Sequence, residues 1–205
     1  MKGDSPMKAS NAICAVVKEM EGLSLRIYSD AVGVMTVGYG HAIKSGEEAG
    51  LKEIGIDINN LTFEMANQLF EIDRAHHERL LCEICKNIEL SQVQFDALFD
   101  FTFNLGIGNF KNSTLLKKLL QNDIDGASKE FGRWIYGNVN GKPKPSAGLV
   151  KRREIERVIF LADTTPMNIS TTLFTSVVRH EIQQILISYA QNLFSEKRIK
   201  TELAR

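Results

Sequence analysis

Long apolar runs, net charge and cysteine are all scarce in this chain, and each scarcity closes off a class of function. No run of about eighteen apolar residues occurs, which excludes a membrane-spanning helix. Lys and Arg number 25 and Asp and Glu 25, so the formal charge is +0. Without a surplus there is no electrostatic pointer to nucleic acid and no long-range pull toward an anionic surface, although a local basic face stays open. Three cysteines, Cys14, Cys82 and Cys85, make an odd count that favours a reducing compartment. Cys82-x-x-Cys85 sits inside a helical pattern with no second ligand pair and no βαβ surround, so it reads as packing. There is no His-x-x-x-His, no P-loop and no dinucleotide fingerprint, so neither a metal nor a cofactor is expected. The N-terminus carries a Lys but no sufficient apolar run before Lys18 and Glu19, hence no clear signal peptide.

What is present is ordinary for a soluble globular protein: 205 residues, 43% hydrophobic and 24% charged, enough for one domain or one plus an appendage. Residues 10 to 21 read as a helix capped by Ser10 or Asn11, with Ile13, Val16, Val17 and Met20 on one face. Leu25 to Tyr28 and Val34 to Tyr39 carry β-branched and alternating residues around the turn-forming Asp30 to Gly33, which predicts a hairpin or small sheet. Lys44 to Asn60 reads as a loop. Thr62 opens a long helical pattern to about Lys86, and Ser91 with Gln94 forms a capping-box pair for a helix that stops at the Gly106–Gly108 turn. Shorter helices are expected from Ser113 or Thr114, from Asp125 and from Leu149 to about Ala162. The polar stretch 164–172 reads as a linker, and 173–203 is helical again. The fold class is α+β, predominantly α, with a small N-terminal lobe bearing a β-hairpin, a long connecting helix and a helical C-terminal lobe. An extra C-terminal helix follows.

The most informative run is EGLSLRIYSDAVGVMTVGYGH, residues 21 to 41. It places Glu21, then Asp30 nine positions on, then Thr36 six beyond, and closes on Gly38, Gly40 and His41. Glycosidic bonds are usually broken by two carboxyl groups flanking the scissile bond, and here one short segment supplies both. Farther along stand FDFTFNLGIGNFKNSTL, Trp134, Gly148 to Arg153, and Glu156-Arg157. Together these resemble the phage-type lysozyme family, the T4-like and lambdoid endolysins, over about residues 8 to 163, and imply a lysozyme-like fold. The tail 173–205 has no counterpart in the resemblance.

The resemblance implies a glycoside hydrolase that cuts the β-1,4 bond between N-acetylmuramic acid and N-acetylglucosamine in bacterial peptidoglycan. Glu21 is then the general acid, which must hold its proton near neutral pH, and Asp30 and Thr36 position and activate water. The resemblance implies an inverting reaction, which the separation of the two carboxyl groups, not the sequence, decides. Gly40, Phe103, Asn104 and Ser113 fall where the family contacts saccharide, Phe103 being equally readable as core. His41 corresponds to a histidine that pairs with an Asp on the long helix, here Asp73. Arg152 is either a partner of Glu21 or an exposed helix charge, and Trp134 belongs to the core. The expected partner is peptidoglycan, with no nucleic acid and no stable membrane insertion. The chain is expected to stay cytoplasmic until a holin-type permeabilising partner releases it to the periplasm or cell wall. Val178, Ile182, Ile185, Tyr189 and Leu193 mark an amphipathic tail helix that packs back on the body, dimerises or docks another protein. The competing function is a non-catalytic binding or effector protein on a lysozyme scaffold, acting through that helix.

Overall fold

In the computed structural model, which describes residues 6–30, 33–139, 142–163 and 176–203, the first helix starts on a polar cap. Ser10 Oγ accepts from Ile13 N (3.1 Å), and α1 runs Asn11–Glu21 with Ile13, Val16 and Val17 buried. Gly22, at φ +70°, ends it, so Glu21 is its last residue. The remaining described helices are α2 (Glu47–Glu53), α3 (Phe63–Ile84), α4 (Gln92–Leu105), α5 (Ile107–Lys111), α6 (Thr114–Leu120), α7 (Ile124–Glu130), α8 (Ala147–Phe160) and α9 (Ser176–Leu203). Among the described residues no helix is long and apolar enough to cross a membrane.

The chain forms two compact units, Val17–His77 and the remainder, Met1–Val16 with Glu78–Arg205. In the smaller unit β1 (Ser24–Ser29), β2 (Met35–Gly38) and β3 (His41–Ala42) make an antiparallel sheet in chain order. The β1–β2 register opposes Tyr28 to Thr36 but Ser24 to Gly38, so β1 carries a bulge between the two pairs. The unit closes over Val37, Leu51, Ile56, Ile58, Leu61, Ala66 and Leu69. Lys18 links α1 to α3 here, donating to Asn67 Oδ1 (2.8 Å) with its ammonium 4.4 Å from the centroid of the Phe70 ring. The expected loop Lys44 to Asn60 instead contains α2 and a 3-10 turn, Ile58–Asn60. Their buried anchors are single residues, Leu51 and Ile58, too few to write a helical period.

In the larger unit α4 is the central helix, with every residue from Val93 to Thr102 buried. Its N-terminus has the expected capping box, Ser91 Oγ accepting from Gln94 N and Gln94 Oε1 from Ser91 N. Phe101 takes the edges of Phe110, Phe131 and Trp134 at 6.2, 5.4 and 5.6 Å between centroids. Trp134 is only half-buried at the margin of this cluster. Two features went unanticipated: α5 follows directly on Gly106, and Tyr136–Val139 (β4) pairs with Lys142–Pro145 (β5) in a second, two-stranded sheet.

The tail helix α9 packs back within this unit, burying Ile182, Ile185, Leu186, Tyr189 and Leu193. Tyr189 Oη donates to Asp96 Oδ2 (2.9 Å), a buried carboxylate that also accepts from Ser10 N, Ser10 Oγ and Gln92 Nε2. Glu196 Oε1 accepts from Ala12 N (2.9 Å) at the start of α1. The expected linker, 164–172, and the first residues of the expected tail helix, 173–175, lie outside the described residues.

Candidate active site

The turn after β1 fixes two of the three candidate groups on one residue. Val34 N donates to Asp30 Oδ1 (2.8 Å), and Val34 O accepts from Thr36 Oγ1 (3.0 Å) as well as from Asp30 N (2.9 Å). The carboxylate and the hydroxyl are thus held by the N–H and the C=O of the same residue. Thr36 is buried on β2 between Tyr28 and Ala42. Because its proton is committed to Val34 O, its remaining capacity is to accept, as is that of an ionised Asp30. A water placed on both would donate one hydrogen to each and keep a lone pair free.

Glu21, half-buried at the end of α1, lies against Gly40. A Cβ at position 40 would stand 3.1 Å from Glu21 Oε2, and Gly40 has φ +80°, where L side chains are strained. Both facts make glycine the fitting residue there. Glu21, Gly22, Leu23, Ser24 and Tyr28 line a surface hollow of about 320 Å³. Asp30 and Thr36 do not line it, and Tyr28 is what links the two groups. It lies in the hollow with Glu21, pairs with Thr36 across the strands, and feels the charges of both Glu21 and Asp30. Partial burial first, then those two carboxylates, push its phenol above the ordinary 10.0, so it stays protonated at neutral pH.

His41, buried on β3, sits between two carboxylates. Nδ1 is 2.9 Å from both oxygens of Asp73 on α3, and Nε2 is 2.9 Å from Glu47 Oε1 at the start of α2. Burial alone would lower its pKa, but hydrogen bonds and charge from Asp73, then Glu47, outweigh it and the net shift is upward. An imidazolium donates from both nitrogens and satisfies both acids. A pKa raised in the folded state contributes stability that is full below the ordinary 6.5 and fades as pH rises through the raised value. Thermal unfolding should therefore show the native chain losing stability from pH 6 toward pH 9, with His41→Ala costing about 2–3 kcal/mol at pH 6 and less at pH 9. Equal cost at both pH values would refute the charged pairing.

The other candidates lie in the larger unit. Phe103 is half-buried with its ring 5.8 Å from that of Phe99, and Asn104 Oδ1 accepts from Arg153 Nη2 (2.9 Å). Ser113 is buried as the cap of α6, its Oγ accepting from Leu116 N (3.0 Å) and donating to Phe110 O (2.7 Å). Its proton is committed to Phe110 O and one lone pair to Leu116 N, which leaves one lone pair able to accept. Arg152 is no exposed helix charge: it is 4% accessible and clamps Asp100 through Nε (3.1 Å) and Nη2 (2.6 Å). Cys82 Sγ donates to Met7 O (3.3 Å), and burial pushes the Cys85 thiol up to about 12, where it is inert.

Two groups of the site escaped the sequence. Glu47 stood in a stretch read as loop, and Tyr28 read only as a strand residue.

Residues 18–156 match the family model described as phage lysozyme. An endolysin of Acyrthosiphon pisum secondary endosymbiont phage 1 is 37% identical over 154 residues, covering 75% of this chain and 98% of the relative. Among solved structures, an endolysin from Escherichia coli O157:H7 phage FAHEc1 aligns with a TM-score of 0.61 at 29% identity, over 79% of this chain and 98% of that one. The muramidase domain of SpmX from Asticaccaulis excentricus aligns with a TM-score of 0.61 at 28% identity, over 78% and 99%.

Proposed function

Because the chain belongs to the phage lysozyme family, and is thus a glycoside hydrolase of the lysozyme kind, we propose that it cuts the β-1,4 bond from N-acetylmuramic acid to N-acetylglucosamine in bacterial peptidoglycan, with Glu21 as the acid and Asp30 and Thr36 as the water-holding pair. The observation that carries this reading is the anchoring of Asp30 and Thr36 on the two peptide groups of Val34. It favours a water that is oriented by two acceptors and attacks directly.

In the proposed step Glu21 gives its proton to the glycosidic oxygen as the C–O bond breaks. Water oxygen bonds the anomeric carbon and its proton passes to Asp30. Direct attack inverts the centre, so the first product of a β bond is the α anomer. The test is digestion of purified peptidoglycan, with the new reducing ends identified and their anomer followed by NMR. Muramic acid ends, first as α, support the reading; glucosamine ends or a β product sink it.

Gly40 gives a second handle. Gly40→Ala would press a methyl against Glu21 Oε2 and strain a φ of +80°. Displacing a catalytic group by a fraction of an ångström is expected to cut kcat on peptidoglycan about 10-fold. An unchanged kcat would remove Gly40 from the site.

The route to the wall belongs to the same proposal: a membrane-permeabilising partner releases the chain from the cytoplasm. Fractionation decides it, since chain found in the periplasm of cells lacking any such partner would overturn that route.

A further inference from the structure

Tyr28 brings to the site a hydroxyl donor where Asp30 and Thr36 offer acceptors. It is 40% exposed, and its hydroxyl makes no hydrogen bond among the described residues. Around it the chemistry is one-sided. Asp30 accepts, Thr36 has committed its proton to Val34 O and can only accept, and the proposed role of Glu21 assigns its proton to the leaving oxygen.

A sugar hydroxyl meets such a surface without difficulty, because it can donate. A carbonyl cannot. The acetamido oxygen of an N-acetylated sugar, brought near two carboxyl groups, needs a donor to offset the mismatch, and an unpaired acceptor in a desolvated site is costly. The phenol is placed to be that donor. It lines the hollow with Glu21 and pairs with Thr36 across the sheet, while its ring and Leu23 give the hollow an apolar wall for a pyranose face.

We propose that Tyr28 contacts substrate and sets specificity for N-acetylated glycan, its ring packing on the sugar and its O–H donating to the acetamido carbonyl. This rests on reading the site as a muramidase. Its chemistry is donor-to-carbonyl recognition, separate from the proton transfers assigned to Glu21 and Asp30.

The test is a cycle on two axes: native chain against Tyr28→Phe, and intact peptidoglycan against the same material chemically N-deacetylated. Phenylalanine keeps the ring and removes only an exposed, unpaired hydroxyl, so the melting temperature should not move. The expected result is a penalty of about 5–10-fold in kcat/KM for Tyr28→Phe on acetylated strands, shrinking to about twofold or less on deacetylated ones. An equal penalty on both substrates, or none on either, overturns the proposal. A fall in kcat accompanied by a displaced pH–rate profile would also overturn it, since the phenol would then be acting on the carboxyl groups.

Co-sedimentation of the same proteins with both glycans, in a Glu21→Gln background, separates this from the muramidase reading. If the native chain releases no muramic acid ends, that reading fails. The acetyl-dependent difference in binding between Tyr28 and Phe then still decides the role of Tyr28.

Discussion

Glu21→Gln is expected to lower kcat on purified peptidoglycan about 10³-fold, with the melting temperature unchanged and KM within about twofold. Glutamine has the shape of glutamate, so the side chain can still lie against Gly40 without altering the end of α1. It cannot transfer a proton to a leaving alkoxide. General acid catalysis contributes about 10²–10⁴ in rate, or roughly 3–5 kcal/mol of barrier, and all of it is at stake in one atom. The unchanged fold follows from position: Glu21 is a half-buried terminal residue of its helix and no part of a core. Single-turnover release of reducing ends is the measurement. Residual activity above about a tenth would remove Glu21 as the acid. A loss confined to Asp30→Asn would exchange the two roles.

The run that forms the candidate site was legible because its elements depend on side-chain identity. Two acids, a hydroxyl and the glycines keep their spacing in the sequence, and the spacing survives folding into a helix end and a bulged hairpin. The cap on α4 was legible for the same reason, Ser91 and Gln94 being a chemically explicit pair. What stayed hidden works through the backbone or through partners distant in sequence. Val34 holds Asp30 and Thr36 with its N–H and C=O, which any residue carries, so nothing about valine announces it. Glu47 could be assigned to His41 only once α2 was seen to begin there. β5 reads Lys-Pro-Lys-Pro, with every position exposed and proline unable to donate, and so lacks both the alternation and the propensity that mark a strand. Arg152 read equally as a partner of Glu21 or as an exposed charge beside Lys151 and Arg153, yet successive helix positions point about 100° apart. Lys151 reaches Glu181 on α9 while both arginines turn inward.

Those inward arginines make Arg152 the most consequential position for stability. Arg152→Met is expected to destabilise the chain by about 3–5 kcal/mol and to lower its melting temperature by about 10 °C. Asp100 and Glu156 are both fully inaccessible, and Arg152 donates to Asp100 at 2.6 Å while lying 3.9 Å from Glu156. Arg153 supplies the other cation, donating to Glu156 Oε1 at 2.6 Å beside the ring of Phe101. Removing Arg152 leaves a buried carboxylate short of its cation, which is where the large cost arises, whereas an apolar replacement of both partners need not be costly. Arg152→Met with Asp100→Leu should therefore regain most of the loss. The pH dependence gives an independent reading. Burial, more than any neighbour, raises the Glu156 carboxyl well above its ordinary 4.5, so the folded chain holds a proton that the unfolded chain has released. Stability then falls as pH rises from that ordinary value through the raised one. With one cation fewer, the Glu156 carboxyl rises further and the decline extends to higher pH in Arg152→Met than in the native chain. A loss below about 1 kcal/mol with an unaltered pH profile would mean that water or Arg153 compensates Asp100, and that the cluster is not held by Arg152.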